Sequence, residues 1–270
     1  MSSERIIEFT KDNIDLYLKE VAKEYRKLSG KRTPAELIIV GGASVMINYN
    51  FRRTTTDIDA IIQASSSMKD AINRVRDRFD LPNGWLNADF TKTDFYTSKL
   101  VQFSDYYKSF SNIISVRTVS AEYLIAMKLR SGRQYKSDLS DVLGILKEHT
   151  RNEKPITMEQ IQKAVIDLYG EWDSLAEETR SLIENVMESG HFDQLYEQTA
   201  RGEQETKELL IQFENNYPGV TKEANVDNIA KSLQKKSDKA SILAILRQKK
   251  TEGKAPAPGK NPSRKNKYKR

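Results

Sequence analysis

Leu37-Ile-Ile-Val40 is a run of four apolar residues that stops at Gly41-Gly42 and gives way to Ala43-Ser-Val-Met-Ile-Asn-Tyr49. No other segment of the chain leaves so little choice of conformation. The run predicts a buried strand, the glycine pair a tight turn, and the residues after it the start of a helix. Lacking Cβ atoms, the glycines let backbone approach a ligand closely. The first free N–H groups of the helix, with the Ser44 hydroxyl beside them, suit an anion such as a triphosphate. A glycine pair between strand and helix is more often an ordinary turn, so the segment that follows decides between the two.

That segment is Arg53-Thr-Thr-Thr-Asp-Ile-Asp59. Read as a strand, it puts Arg53, Thr55, Asp57 and Asp59 on one face and Thr54, Thr56, Ile58 and Ala60 on the other. Residues two apart on a strand are separated by about 6.5 Å, close enough for two carboxylates to bracket divalent ions. Such clamps stabilise the attacking and leaving oxygens of an in-line displacement at phosphorus. Mg²⁺, with Mn²⁺ as its substitute, is the expected ion, because only hard oxygen ligands are offered. The competing account is an exposed face with solvated charges. Against it, two like charges beside Ile58, Ile61 and Ile62 repel without a cation, and aspartate is a poor strand former.

Together, Gly41-Gly42-Ala43-Ser44 and Asp57-Ile58-Asp59 resemble the signature of the DNA polymerase β-like nucleotidyltransferase superfamily. The Arg53-x-Thr55-x-Asp57-Ile58-Asp59 variant is similar to AbiEii-type abortive-infection toxins. Further likeness lies in Ser120 to Arg133, in Asp138-Leu-Ser-Asp141-Val-Leu and in the turn Pro82-Asn-Gly-Trp-Leu-Asn87, so the resemblance spans roughly residues 35 to 148. It implies an α+β fold, a mixed sheet with flanking helices, and Mg²⁺-dependent transfer of a nucleoside monophosphate from an NTP. By the same resemblance Asp57 and Asp59 hold metal, and Gly42 and Ser44 bind the triphosphate, with Gly41, Arg53 and Thr55 in the nucleotide-binding set. Lys128 then meets a nucleotide phosphate and Asp141 is a further active-site carboxylate. The superfamily's usual third carboxylate has no aligned counterpart: Asp89, Asp94 and Asp105 fall in the right interval, none in a clear strand pattern.

Thr10 to Leu28 reads as an amphipathic helix with Ile14, Leu18, Val21, Tyr25 and Leu28 on one stripe, Lys99 to Phe103 and Ile113 to Val119 read as strands, and the acidic run Glu203 to Glu208 reads as a solvated helix face. Within a helix from Ala121 to Arg133, Lys128 stands on the apolar stripe with Leu124 and Ile125. It either snorkels to water or serves a phosphate. In the next helix Asp138, with Ser137 as N-cap, is explained by the helix dipole. Asp141 is explained only partly, and pairing with Lys128 or Arg133 is the expected remainder. Arg52 and Arg53 are candidates for nucleotide or RNA contact, although arginines before a strand are commonly solvated.

Composition sets the outer bounds. The 270 residues are 38% hydrophobic, enough for a real core. No cysteine is present, so disulfides and thiolate metal sites are excluded. Two histidines, His149 and His191, make no zinc cluster. No apolar run approaches the ~18 residues of a membrane span, and the expected location is cytoplasmic. Nine Lys or Arg and one acid lie between Lys249 and Arg270, leaving 35 basic and 37 acidic residues before them. Basicity is thus a property of the tail, whose prolines, glycines and lack of apolar residues predict disorder and salt-dependent nucleic-acid binding. The domains expected are a nucleotidyltransferase-like domain over 1–150, a helical domain over 151–248 and a disordered basic tail over 249–270.

The function expected from these features is transfer of NMP from an NTP to a hydroxyl of RNA, such as a tRNA 3′ end, or of protein. A toxin with a cognate antitoxin, or a phage-defence component, is the expected role. The alternatives are a catalytically degenerate nucleotide- or RNA-binding module of the same fold, and an assembly protein whose helical half carries the function.

Overall fold

A computed structural model describes residues 7–131, 138–222, 225–226 and 228–233. The expectations at Arg133 and Ser137, those beyond residue 233 and those for the tail 249–270 lie outside the described residues. By packing, the chain divides into compact units of residues 1–207 and 208–270.

In the first unit, β1 (Ala35–Ile39) is the central strand of a five-stranded mixed sheet. It pairs antiparallel with β2 (Ile58–Gln63), which runs parallel to the short β3 (Leu86–Asn87). On its other side β1 is parallel to β5 (Ile114–Val119), and β5 is antiparallel to the edge strand β4 (Ser104–Phe110). A strand covered on both faces is expected to be a near-continuous apolar run, and β1 is one except at Glu36. Leu37 and Ile39 enter a core with α1 (Lys11–Ser29) and α3 (Ser67–Phe79), through Leu18, Val21, Met68 and Val75. Ile38 enters a second core with α4 (Ala121–Ser131), α5 (Asp138–Arg151), α6 (Met158–Tyr169) and α7 (Glu177–Ser189). The α+β class, with its mixed sheet and flanking helices, is what the resemblance implies. Helices α6 and α7, from the span expected as a separate domain, share this second core with α4 and α5. The last long helix among the described residues is α8 (Phe192–Asn216), and none of the described helices is long and apolar enough to cross a membrane.

Two strand expectations are corrected. Residues 53 to 57 are not strand: only Thr55 makes an isolated bridge, exchanging backbone hydrogen bonds of 2.7 and 3.0 Å with Phe9, and β2 starts at Ile58. Polar residues in alternation mimic a strand, but here the segment detours to meet the chain before α1. Lys99 to Phe103, read as strand, contains a 3₁₀ turn (Ser98–Val101), and the strand lies next door in β4. Residues of β4 are mostly exposed, so no apolar alternation announces them.

Candidate functional site

The turn expected from the glycine pair begins α2 (Gly41–Asn48) directly after β1. Gly41 has φ +59°, a left-handed conformation that only glycine adopts without strain. The Val40 N–H donates to the Asp59 carbonyl at 2.9 Å, so the turn is tied to β2 at the residue that carries the second carboxylate. A methyl built on Gly41 would lie 3.6 Å from Asp59 Oδ2, which places that carboxylate against the turn. Asp57, just before β2, lines the same cavity of about 540 Å³ as Asp59, Gly41 and Gly42. Thr55 and Arg53 line it as well; Thr55 is buried and Arg53 exposed. Ser44 does not: it is fully buried, its hydroxyl has no hydrogen-bond partner, and it lies outside the cavity lining.

The far wall comes from α4 and the first turn of α5. Lys128 is 5% exposed, and its Nζ donates to Asp138 Oδ1 at 2.9 Å and stands 2.7 Å from Asp141 Oδ2. Burial pulls the ammonium pKa down, but the two carboxylates outweigh it and hold the group above its ordinary value. Lys128 therefore does not snorkel; it lines the cavity as a buried, ion-paired cation. Asp138 also accepts from the Ser131 hydroxyl, so it does more than complement a dipole. Asp141 has the expected partner in Lys128, and Arg52 pairs with it too.

Arg52 is the residue that the motif-based reading undervalues. A methyl on Gly42 would stand only 2.7 Å from Arg52 Cζ and 3.1 Å from Thr55 Oγ1, so the guanidinium lies on the glycine turn itself. Also underestimated is α8, whose Glu203 to Glu208 run reads as a solvated face. Tyr196, Ala200, Glu203, Gln204 and Lys207 instead close the cavity. Their spacing of four, three, one and three residues is a helical stripe, the one signal that points to a shared face. The Ser140 N–H donates to Glu203 Oε1 at 3.1 Å, and burial, with Asp141 and Asp138 nearby, raises the Glu203 carboxyl above its usual range. None of the three acids considered as a third ligand lines the cavity. Asp89 is bound to Lys92 at 2.7 Å in a 3₁₀ turn, and Asp105 sits on the edge strand. The β3 position in register with Asp59 is Asn87.

Among the described residues no group of three or more His, Cys, Asp or Glu is placed to hold a metal. One carboxylate against the glycine turn and a second in the same cavity suit Mg²⁺, which takes one or two protein carboxylates and completes its shell with water and substrate phosphates. The cavity is lined by six carboxylates (Glu8, Asp57, Asp59, Asp138, Asp141, Glu203) and four cations (Arg52, Arg53, Lys128, Lys207). With acids in excess, a polyanionic ligand needs a counter-cation to enter.

No curated protein and no solved structure matches the chain. A sequence model of the family described as "Nucleotidyltransferase of unknown function (DUF6036)" matches residues 17–188, from within α1 to the last turn of α7. The chain belongs to this family of nucleotidyltransferases.

Proposed function

We propose that the protein transfers NMP from an NTP to a hydroxyl on RNA, such as a tRNA 3′ end, or on protein, with Mg²⁺ held by Asp57 and Asp59. The observation that carries this reading is the Asp59 carboxylate lying against the Gly41 turn, in one cavity with Asp57 and Lys128. When bound, the ion supplies Lewis-acid stabilisation of charge on the transferring phosphoryl group. Glycines 41 and 42 let the triphosphate approach the backbone, and Lys128 offers a fixed positive charge beside it. The acceptor oxygen forms the new bond to the α-phosphorus as the bond to pyrophosphate breaks, and the hydroxyl proton leaves to solvent.

Resemblance to the AbiEii-type toxins supports a role as the toxin of a toxin–antitoxin or phage-defence pair. The basic tail supports RNA as a partner, since clustered Lys and Arg gather phosphates without base specificity. Incubation with α-labelled NTPs, Mg²⁺ and total tRNA or lysate is expected to label one acceptor, and Asp57→Ala or Asp59→Ala to abolish it. NTP binding that persists in the wild type without any labelled product would assign the fold to a binding module instead.

A further inference from the structure

Gly144, in the middle of α5, has no side chain, and the Phe51 ring uses the space. A methyl built there would lie 2.5 Å from Phe51 Cε2 and 2.6 Å from Cζ, so the ring rests directly on the helix backbone. Tyr49 and Tyr196 flank it, with ring centroids 5.5 and 5.6 Å away. The chain is thereby fixed one residue before Arg52. From that seat Arg52 reaches the glycine turn, with Nη1 bonded to Asp141 and Nε 3.4 Å from the Thr54 carbonyl.

We propose that Arg52 is the triphosphate-binding residue of this cavity, that phosphate oxygens replace Asp141 as its partner, and that Phe51 on Gly144 sets its position. This rests on the nucleotidyl-transfer reading of the site. A guanidinium presents five N–H donors in a planar fork, enough to hold a phosphate bidentately. Arg52 already lies on the turn where the triphosphate would be cradled, and its side chain is 23% exposed. Exchange is feasible because Asp141 keeps Lys128 at 2.7 Å, so release of Arg52 strands no buried charge. Arg53 is exposed and has no comparable seat.

The test uses the full chain and two probes. Inorganic tripolyphosphate with Mg²⁺ reports anion binding by calorimetry, and labelled NTP with Mg²⁺ reports transfer. Arg52→Ala is expected to weaken tripolyphosphate binding at least about tenfold, the scale of one lost charge-assisted contact, and to raise KM for NTP more than it lowers kcat. Arg52→Lys should recover only part of the affinity, since an ammonium lacks the fork, and it carries the test if the alanine variant does not fold. Phe51→Ala, which keeps the arginine but removes its seat, should show a weaker version of the same KM effect. Wild-type affinity in folded Arg52→Ala or Arg52→Lys, with only the melting temperature changed, would reduce the Arg52–Asp141 pair to a structural one and overturn the proposal. A wild type that transfers NMP without binding tripolyphosphate would overturn it too. A wild type that neither binds NTP nor transfers NMP would instead bring down the nucleotidyl-transfer reading, and the proposal with it.

Discussion

Single positions in the cavity do separable jobs, and substitution should tell them apart. Gly41 is needed for its backbone: at φ +59° an alanine is strained, although its methyl would only touch Asp59 at 3.6 Å. Gly41→Ala is therefore expected to cost about 1–2 kcal/mol, lowering the melting temperature by several degrees for a unit of this size. Lys128 is needed for its charge. Lys128→Ala leaves Asp138 and Asp141 in the core with only Arg52, Ser131 and their remaining partners, and removing one member of a buried ion pair typically costs roughly 3–5 kcal/mol. Denaturant titration checks both, and equal small losses at the two positions would refute the assignment of a buried charge network around Lys128.

At the scale of elements, α1 and α3 are joined by more than apolar packing. Glu24 of α1 is buried, and Arg78 of α3 sits 2.5 Å from its Oε1, with Lys27 at 2.9 Å. Arg78 first, then Lys27, pull the Glu24 carboxyl down from 4.5 to about 2 despite desolvation. Because the folded-state value lies below the unfolded one, the pair's contribution is complete at neutral pH. It is lost as pH falls from about 4.5 through about 2. Thermal melts of wild type and Glu24→Gln should differ by a constant amount at neutral pH and converge in that acid window; a gap that is independent of pH would rule the linkage out. Elements such as these were legible because their patterns are internal. The α1 stripe Ile14, Leu18, Val21, Tyr25 and the β1 apolar run need no outside information, and both lie where the periodicity puts them. What the pattern could not show depends on distant partners. Thr55 leaves the strand register because Phe9 captures its backbone. Arg52 reaches the glycine turn because Gly144, 93 positions after Phe51, leaves room for that ring. Glu203 looks solvated until Ser140 of α5 is set beside it.

Across the whole molecule, the family match and the cavity do not coincide. The match ends at residue 188, yet Tyr196, Glu203, Gln204 and Lys207 of α8 line the cavity, and Phe192, Leu195 and Tyr196 pack on the second core. Among the described residues, no cavity residue lies beyond Lys207, where the first compact unit ends. A chain of residues 1–207 is therefore expected to fold and bind NTP with Mg²⁺ as the full chain does, while one of residues 1–190 should be less stable and bind poorly. Ligand-induced stabilisation reads this directly, since a ligand at a hundredfold excess over its Kd adds about 2.7 kcal/mol to the stability of whatever folded state binds it. The 1–207 chain should show the full increment with MgATP and the 1–190 chain little of it. If both respond alike, α8 is a lid on the core with no part in holding the nucleotide. If the 1–207 chain alone loses the response, residues 208–270 contribute to the binding that the cavity lining assigns to the first unit.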